Sequence, residues 1–324
     1  MGAEILRSRR LLDVAPLVLL VLLTAVFAAI DSRVVTPANL VNIVAQATPI
    51  ALLGLGMLVV LLTGGIDLSM GVGVALCSIV LAGRLDAGAG LMIGLLTGLA
   101  AMAVLGLANG LVIAILRIPP FVTTLASMVA VQGATLAFAR KGVVIVKEPW
   151  LRWVGIERSF GLPNSIWLTG LVAVGAWTLM RHTRFGLRTT ALGSDAAAAE
   201  LAGVPVSKQS VLVYVVAACF TFLTAVMMVS RVPVVTPNLG GTSLLLDAIA
   251  AAVIGGTSTF GGRGSVPGVL AGAVIVSLLT NALRVFGADP STIDLFKGGI
   301  IMVALAGDAG LTKISLRLRR EFAA

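Results

Sequence analysis

The sequence predicts an all-α, polytopic membrane protein of about ten transmembrane helices with both termini in the cytoplasm, and three observations carry that expectation. Hydrophobic residues fill 58% of 324 positions, charged residues only 11%, and mean hydropathy is +1.08; a soluble domain carries roughly 25% charge. Such a chain cannot cover itself in polar surface. Uncharged stretches long enough for a hydrocarbon core, about 20 residues, recur throughout, as at 87–116, 118–139, 159–180 and 209–230. The Lys and Arg residues gather in short connections and at the two ends. The net charge of +9 therefore reads as a topology signal facing anionic lipid and not as a surface for nucleic acid.

Apolar runs read against their breakers place helices near 13–30, 40–63, 68–85, 90–116, 121–139, 163–181, 209–230, 243–256, 266–286 and 293–307. The first follows Arg7, Arg9 and Arg10 and resembles a signal peptide, but it lacks a convincing small-residue cleavage site and precedes many further spans, so it reads as an uncleaved helix. A Gly-Gly pair breaks the second run from the third. An outer loop, 140–162, holds Arg140, Lys141, Lys147, Arg152 and Arg158 with Trp150 and Trp153, and Trp167 follows in the next helix. Tryptophans near a span end serve as interface anchors, with docking of an outside partner as the other reading. The tenth run is the least apolar, because Asp294 and Lys297 lie in its first turn and Asp308 closes it. Ten alternating spans put 13 of the 23 Lys and Arg residues inside, among them Lys313, Arg317, Arg319 and Arg320. Cys77 and Cys219 lie in apolar helices without metal or redox spacing and read as packing residues. Glycines spaced for close helix contact, such as Gly106 with Gly110 and Gly264, Gly268 and Gly272, mark faces turned to protein.

Several polar insertions are candidates for chemistry. The segment 63–71, TGGIDLSMG, interrupts a hydrophobic run with one carboxylate, two hydroxyls and three glycines. A carboxylate in hydrocarbon costs about 3 kcal/mol or more unless partnered or hydrated, so Asp67 must meet protein donors or a watery path. Asp67 or Ser69 can also cap the third helix, and the two roles are compatible. Asp247, near the start of the eighth helix, reads first as a helix cap and otherwise as a pathway partner or gate. Asn109, Gln132, Thr123, Thr124 and Asn281 offer neutral hydrogen bonding, either as glue between helices or to a sugar. The connection 181–208 is Ala-rich and too polar to cross lipid; 195–201 reads as a short helix, capped by Ser194 or Asp195 and stopped by Gly203 and Pro205. That places a compact surface for a cytoplasmic partner beneath the membrane, where a plain solvated connector is the alternative. His182, the only histidine, has no metal or catalytic companion in the sequence. No GxxxxGK[ST] phosphate loop occurs, so any ATP hydrolysis belongs to another chain. No cofactor, metal site or catalytic residue is expected.

Four segments in order resemble the ribose-type permeases of bacterial ABC sugar importers, a family that includes xylose, galactose, inositol and autoinducer-2 systems. They are GGIDLSMG at 64–71; PFVTTLA at 120–126 with Gly133; TRFG at 183–186 through ALG at 191–193 and on to Gly203; and LDAIA at 246–250 with GGTS at 255–258, Gly261, Gly262, Gly264 and Gly268. Departures are Met70 for Val, Ser194-Asp195 for Gly-Asn, and Arg188-Thr-Thr for a basic run. The resemblance implies a single transmembrane permease domain in the bacterial inner membrane, paired with a second permease chain as a homodimer or related heterodimer. It implies two cytoplasmic ABC ATPases, or one fused double ATPase, and a periplasmic sugar-binding protein. It makes 184–205 the ATPase-coupling segment, with Arg184, Phe185, Gly186, Ala191, Gly193, Asp195, Ala198, Glu200 and Gly203 at matched positions. Asp67, Ser69, Asn109, Phe121, Thr123, Thr124 and Asp247 become the candidate pathway or gate residues.

The expected function is import of a monosaccharide by alternating access, driven by ATP hydrolysis on partner subunits. A branched-chain amino-acid permease shares the inner loop and the glycine-rich C-terminal motif, but its wording around the third helix differs. A secondary transporter or channel would need a mid-membrane coupling constellation, for which Asp67 and Asp247 alone are poor. A membrane enzyme would need an acid–base pair that one His and scattered carboxylates do not supply.

Overall fold

The computed structural model describes residues 2–139 and 142–321, with side chains described for 14–139 and 142–308. The helices in chain order are α1 (Gly2–Ile30), α2 (Pro37–Leu61), α3 (Ser69–Asp86), α4 (Leu91–Leu116), α5 (Pro120–Phe138), α6 (Pro149–Gly155), α7 (Asn164–His182), α8 (Arg184–Ser194), α9 (Ala196–Leu201), α10 (Val206–Arg231), α11 (Gly241–Ile254), α12 (Val266–Val285) and α13 (Pro290–Glu321). Four two-residue strands complete the described elements: β1 (Val144–Ile145), β2 (Arg158–Ser159), β3 (Leu162–Pro163) and β4 (Val234–Val235). β1 pairs antiparallel with β4, Val144 opposite Val235, and β2 with β3. The chain is an all-α polytopic membrane protein: among the described residues seven helices, α2, α3, α4, α5, α10, α12 and α13, are long and apolar enough to cross a bilayer. The apolar part of α1 (Val14–Ile30) and α11 are shorter, and α7 is diluted by Asn164, Ser165, Arg181 and His182. The side chains of Arg7, Arg9, Arg10, Arg140, Lys141, Lys313, Arg317, Arg319 and Arg320, part of the expected charge asymmetry, lie outside those described.

Each of the ten expected runs has a helix, with three differences. The outer loop contains α6, started by Pro149 at its first position. The 181–208 connection holds two helices, α8 and α9. Asp308 does not close the tenth helix, which continues to Glu321. Asp289 starts that helix, its carboxylate accepting from Thr292 N and Oγ1 at 2.9 Å each, and Pro290 follows, where a missing N–H costs nothing. Those two donors hold the exposed Asp289 carboxyl below the usual range.

α2 is the hub, buried nearly throughout and packed by α7, α10, α11 and α12. The expected glycine faces are contact faces. A Cβ at Gly110 would press on the Val211 backbone of α10, and one at Gly268 or Gly272 would collide with the Gly255 or Ala251 carbonyl. Pro49 sits inside α2 and removes the N–H that would bond Ala45 O one turn earlier. Two side chains take up that carbonyl: Thr48 Oγ1 donates to it at 2.8 Å, and the Arg231 guanidinium donates from the end of α10.

The connections alternate between two ends of the bundle. At one end Arg33 reaches Val285 O, β1 pairs with β4, and Arg231 meets the first half of α2. At the other, Gly262 N donates to Leu62 O at 2.9 Å, Thr124 Oγ1 to Ile66 O at 3.1 Å, and Thr259 N to Asp308 at 2.9 Å. The turns that begin at the Gly64-Gly65 and Gly255-Gly256 pairs therefore meet at this second end, where a Cβ on Gly261 would press on Gly64 N.

Candidate functional site

The 63–71 insertion forms a break inside the bundle. Asp67 is 4% exposed, and its Oδ1 accepts from Ser69 N at 2.8 Å and Ser69 Oγ at 2.6 Å. Neither Asp67 nor Ser69 holds the cap position of α3, which is Leu68; Ser69 is its first helical residue, and Asp67, two residues earlier, accepts the Ser69 N–H from outside the helix. From α4, Asn109 Nδ2 donates to Ser69 Oγ at 2.9 Å, and Ser127 Oγ of α5 donates to Asn109 Oδ1 at 2.5 Å. Thr124 Oγ1 holds the Ile66 carbonyl. Tyr214 of α10 borders the cluster, its hydroxyl buried and without a hydrogen-bond partner among the described residues, 2.9 Å from where a Cβ on Gly65 would stand. Asn109 lies seven residues before the end of α4, Ser127 seven after the start of α5, and Tyr214 eight after the start of α10. At 1.5 Å per residue the break is roughly 10 Å inside the bundle. Non-helical backbone at that depth is tolerated because protein groups satisfy it.

Of the candidate pathway residues, the structure thus joins Asp67, Ser69, Asn109 and Thr124. Thr123 is buried beside them with its hydroxyl unpaired among the described residues, and Phe121 stands out on the exposed side of α5. Asp247 lies elsewhere and does not cap. It is the seventh residue of α11, whose cap position is Gly240, and both its oxygens receive Lys297 Nζ of α13 at 3.0 Å. Lys297 had counted against the tenth helix; it is the partner that lets Asp247 be buried. Asn281 acts as glue, exchanging amide hydrogen bonds with Asn39 at 2.8 and 3.0 Å.

Composition and spacing did not single out Ser127, Tyr214 or Arg231, since a lone hydroxyl or a helix-end arginine has no sequence signature; Pro49 was the available pointer to Arg231.

In the 181–208 connection, Thr183 caps α8 through Phe185 N at 3.2 Å, and Asp195 caps α9 through Ala198 N at 3.0 Å. Gly203 ends α9 at φ +81°, the left-handed conformation that glycine supplies. Gln209 Nε2 of α10 donates to Thr189 Oγ1 at 2.8 Å and Phe185 O at 3.1 Å, tying α8 to the bundle. Gly186 and Gly193 lie against backbone. A Cβ at Gly186 would collide with Met180 O, and one at Gly193 with Leu62 O. The segment joins the bundle where α2 ends and the second Gly-Gly turn passes, while Leu187 and Leu201 stay exposed.

A cavity of about 260 Å³ lies between α3, α5 and the start of α11. Gln132, Thr135, Asn238, Thr242 and Ser243 contribute its polar lining, and no lining residue is charged.

The model of the branched-chain amino acid transport system / permease component family matches residues 39–305. The chain belongs to this family. It is 33% identical over 302 residues to the ribose import permease of Escherichia coli (strain K12), covering 92% of this chain and 94% of that protein. It is 34% identical over 265 residues to the galactofuranose transporter permease of the same strain, covering 82% and 78%. The fructose import permease of Rhizobium meliloti is 29% identical over 313 residues, 93% and 86% of the two chains. No solved structure matches. As a permease of this family the chain is a multi-pass protein of the bacterial inner membrane, and the relatives named here carry sugars.

Proposed function

We propose that the chain is the permease subunit of an ATP-driven bacterial importer that moves a monosaccharide into the cytoplasm. The observation that carries this reading is the kinship with sugar import permeases over most of the chain. Ten membrane crossings with both termini in the cytoplasm are supported by the alternation of connections between two ends, with the Gly262–Leu62 end inside. α11 then spans only part of the bilayer, since 14 residues reach about 21 Å.

In this reading the segment 184–205 is the coupling element for two cytoplasmic ATPases or a fused pair, and 140–162 is the periplasmic loop facing a sugar-binding protein. Leu187 and Leu201 are apolar contacts for the ATPase. Gly193 at Leu62 and Gly262 carries displacement of that segment to the ends of α2 and α11, so ATP-driven motion reorients the helices around the Asp67 break. Two permease chains frame the pathway. A neutral sugar needs hydrogen-bonding groups and little charge, which fits the Asp67–Ser69–Asn109–Ser127 network. Reconstitution with the ATPase and binding protein tests the proposal: labelled monosaccharide should accumulate only with ATP, and ATP-independent uptake overturns it.

A further inference from the structure

The loop entering α11 departs from helical structure deep in the bundle. Gly241 is the first residue of α11, and a Cβ on Gly71 would collide with Gly241 O; Gly71 is only two residues into α3, whose own start is roughly 10 Å inside. Gln132 lies twelve residues along α5, roughly 18 Å from its start. The cavity between them is therefore near mid-depth. Gly240 and Gly241 both take positive φ, 87° and 53°, so the approach to α11 is irregular backbone at a level where such backbone persists only inside protein or beside a polar cavity. No side chain caps α11, so its first-turn N–H groups are left without a side-chain acceptor beside the space that Thr242 and Ser243 line. Its volume of about 260 Å³ equals eight or nine waters at roughly 30 Å³ each, the scale of a pentose or hexose.

We propose that this cavity is a substrate-accepting site of the permease itself, built for a neutral polyhydroxyl ligand. The Gln132 and Asn238 amides and the Thr242 and Ser243 hydroxyls supply paired donors and acceptors for sugar hydroxyls, and Thr135, whose hydroxyl donates to Val131 O at 2.7 Å, adds only an acceptor. The uncharged lining gives a zwitterion no counter-charge, so the cavity favours sugars over amino acids. It stands between the outer loops and the Asp67 break, where cargo released from outside would be held before the helices reorient. This assignment rests on the sugar-permease reading.

The test uses the complete importer in liposomes with labelled D-ribose, D-galactose and D-fructose. Failure of the wild type to import any of them with ATP overturns the sugar-permease reading and this site with it. Given wild-type uptake, Gln132→Leu and Thr242→Val should each lower it at least fivefold, and Thr242→Ser should retain more than Thr242→Val. Leu171→Ala, on the exposed face of α7, which contributes no residue to the cavity, should stay within twofold. Uptake by Gln132→Leu and Thr242→Val equal to wild type overturns the site alone. In a Cys219→Ser background, Thr242→Cys should react with a membrane-impermeant maleimide, and saturating transported sugar should slow that reaction at least threefold. Labelling that sugar leaves unchanged overturns the site even where the other variants fold poorly.

Discussion

Replacing Arg231 by Met leaves the Ala45 carbonyl, freed by Pro49, with only the Thr48 hydroxyl as donor. A hydrogen bond to a charged group contributes about 1.5–3 kcal/mol, and Thr48 retains part of the carbonyl's needs, so Arg231→Met should destabilise by about 1.5–2 kcal/mol. Pro49→Ala works from the other side. It restores an internal N–H for Ala45 O and relieves a helix-interior proline, a cost of about 3 kcal/mol in isolation, but leaves the guanidinium competing for its acceptor. With Pro49→Ala already supplying an N–H to Ala45 O, removing the arginine in the double variant no longer strips that carbonyl of a needed donor. Its destabilisation should fall short of the sum of the two single effects by about 1–2 kcal/mol, the coupling expected of groups sharing a partner. Unfolding by SDS titration in mixed micelles measures all three variants. Additive effects within about 0.3 kcal/mol would refute the claim that Arg231 serves the proline-freed carbonyl.

Three further outcomes are expected. Gly193→Ala forces a Cβ into the Leu62 carbonyl; overpacking of this kind costs about 1–3 kcal/mol, and sugar imported per ATP hydrolysed should fall severalfold while the complex still assembles, as paired uptake and phosphate-release assays would show. Lys297→Met strands the buried Asp247 carboxylate and should destabilise by about 3–5 kcal/mol, whereas Asp247→Leu with Lys297→Met should recover most of that loss; the same SDS titration reads both. Asp67→Asn keeps an Oδ1 to accept from Ser69 and should stay within about 0.5 kcal/mol of the parent, while Asp67→Ala removes the acceptor of the buried Ser69 N–H and hydroxyl at the start of α3 and should cost about 1–2 kcal/mol, which thermal unfolding in detergent resolves.

Apolar run length located a helix at each expected run, seven of them among the described residues long and apolar enough to cross a bilayer, because a crossing demands about 20 apolar residues, a requirement that needs no knowledge of neighbours. Local chemistry was equally legible in the 181–208 connection: Asp195 caps a short helix that Gly203 ends, since cap and stop involve residues only a few positions apart. The sequence also marked Asp67, Ser69, Asn109 and Thr124 as polar insertions. It could not join them, because their hydrogen bonds cross from the α2–α3 break to α4 and α5, and pairing over such separations depends on which helix faces turn together. The same reason hid the partnership of Lys297 with Asp247, 50 positions apart, which turned a presumed cap into an ion pair. It hid Arg231 at the carbonyl Pro49 leaves open and the meeting of Gly193 with Leu62 and Gly262. Composition and spacing alone thus determined that this is a many-helix membrane protein with a polar break and a capped loop, for those are properties of single segments in lipid. Only the tertiary structure decided which polar groups share a site and where a cavity opens, for those follow from helix packing.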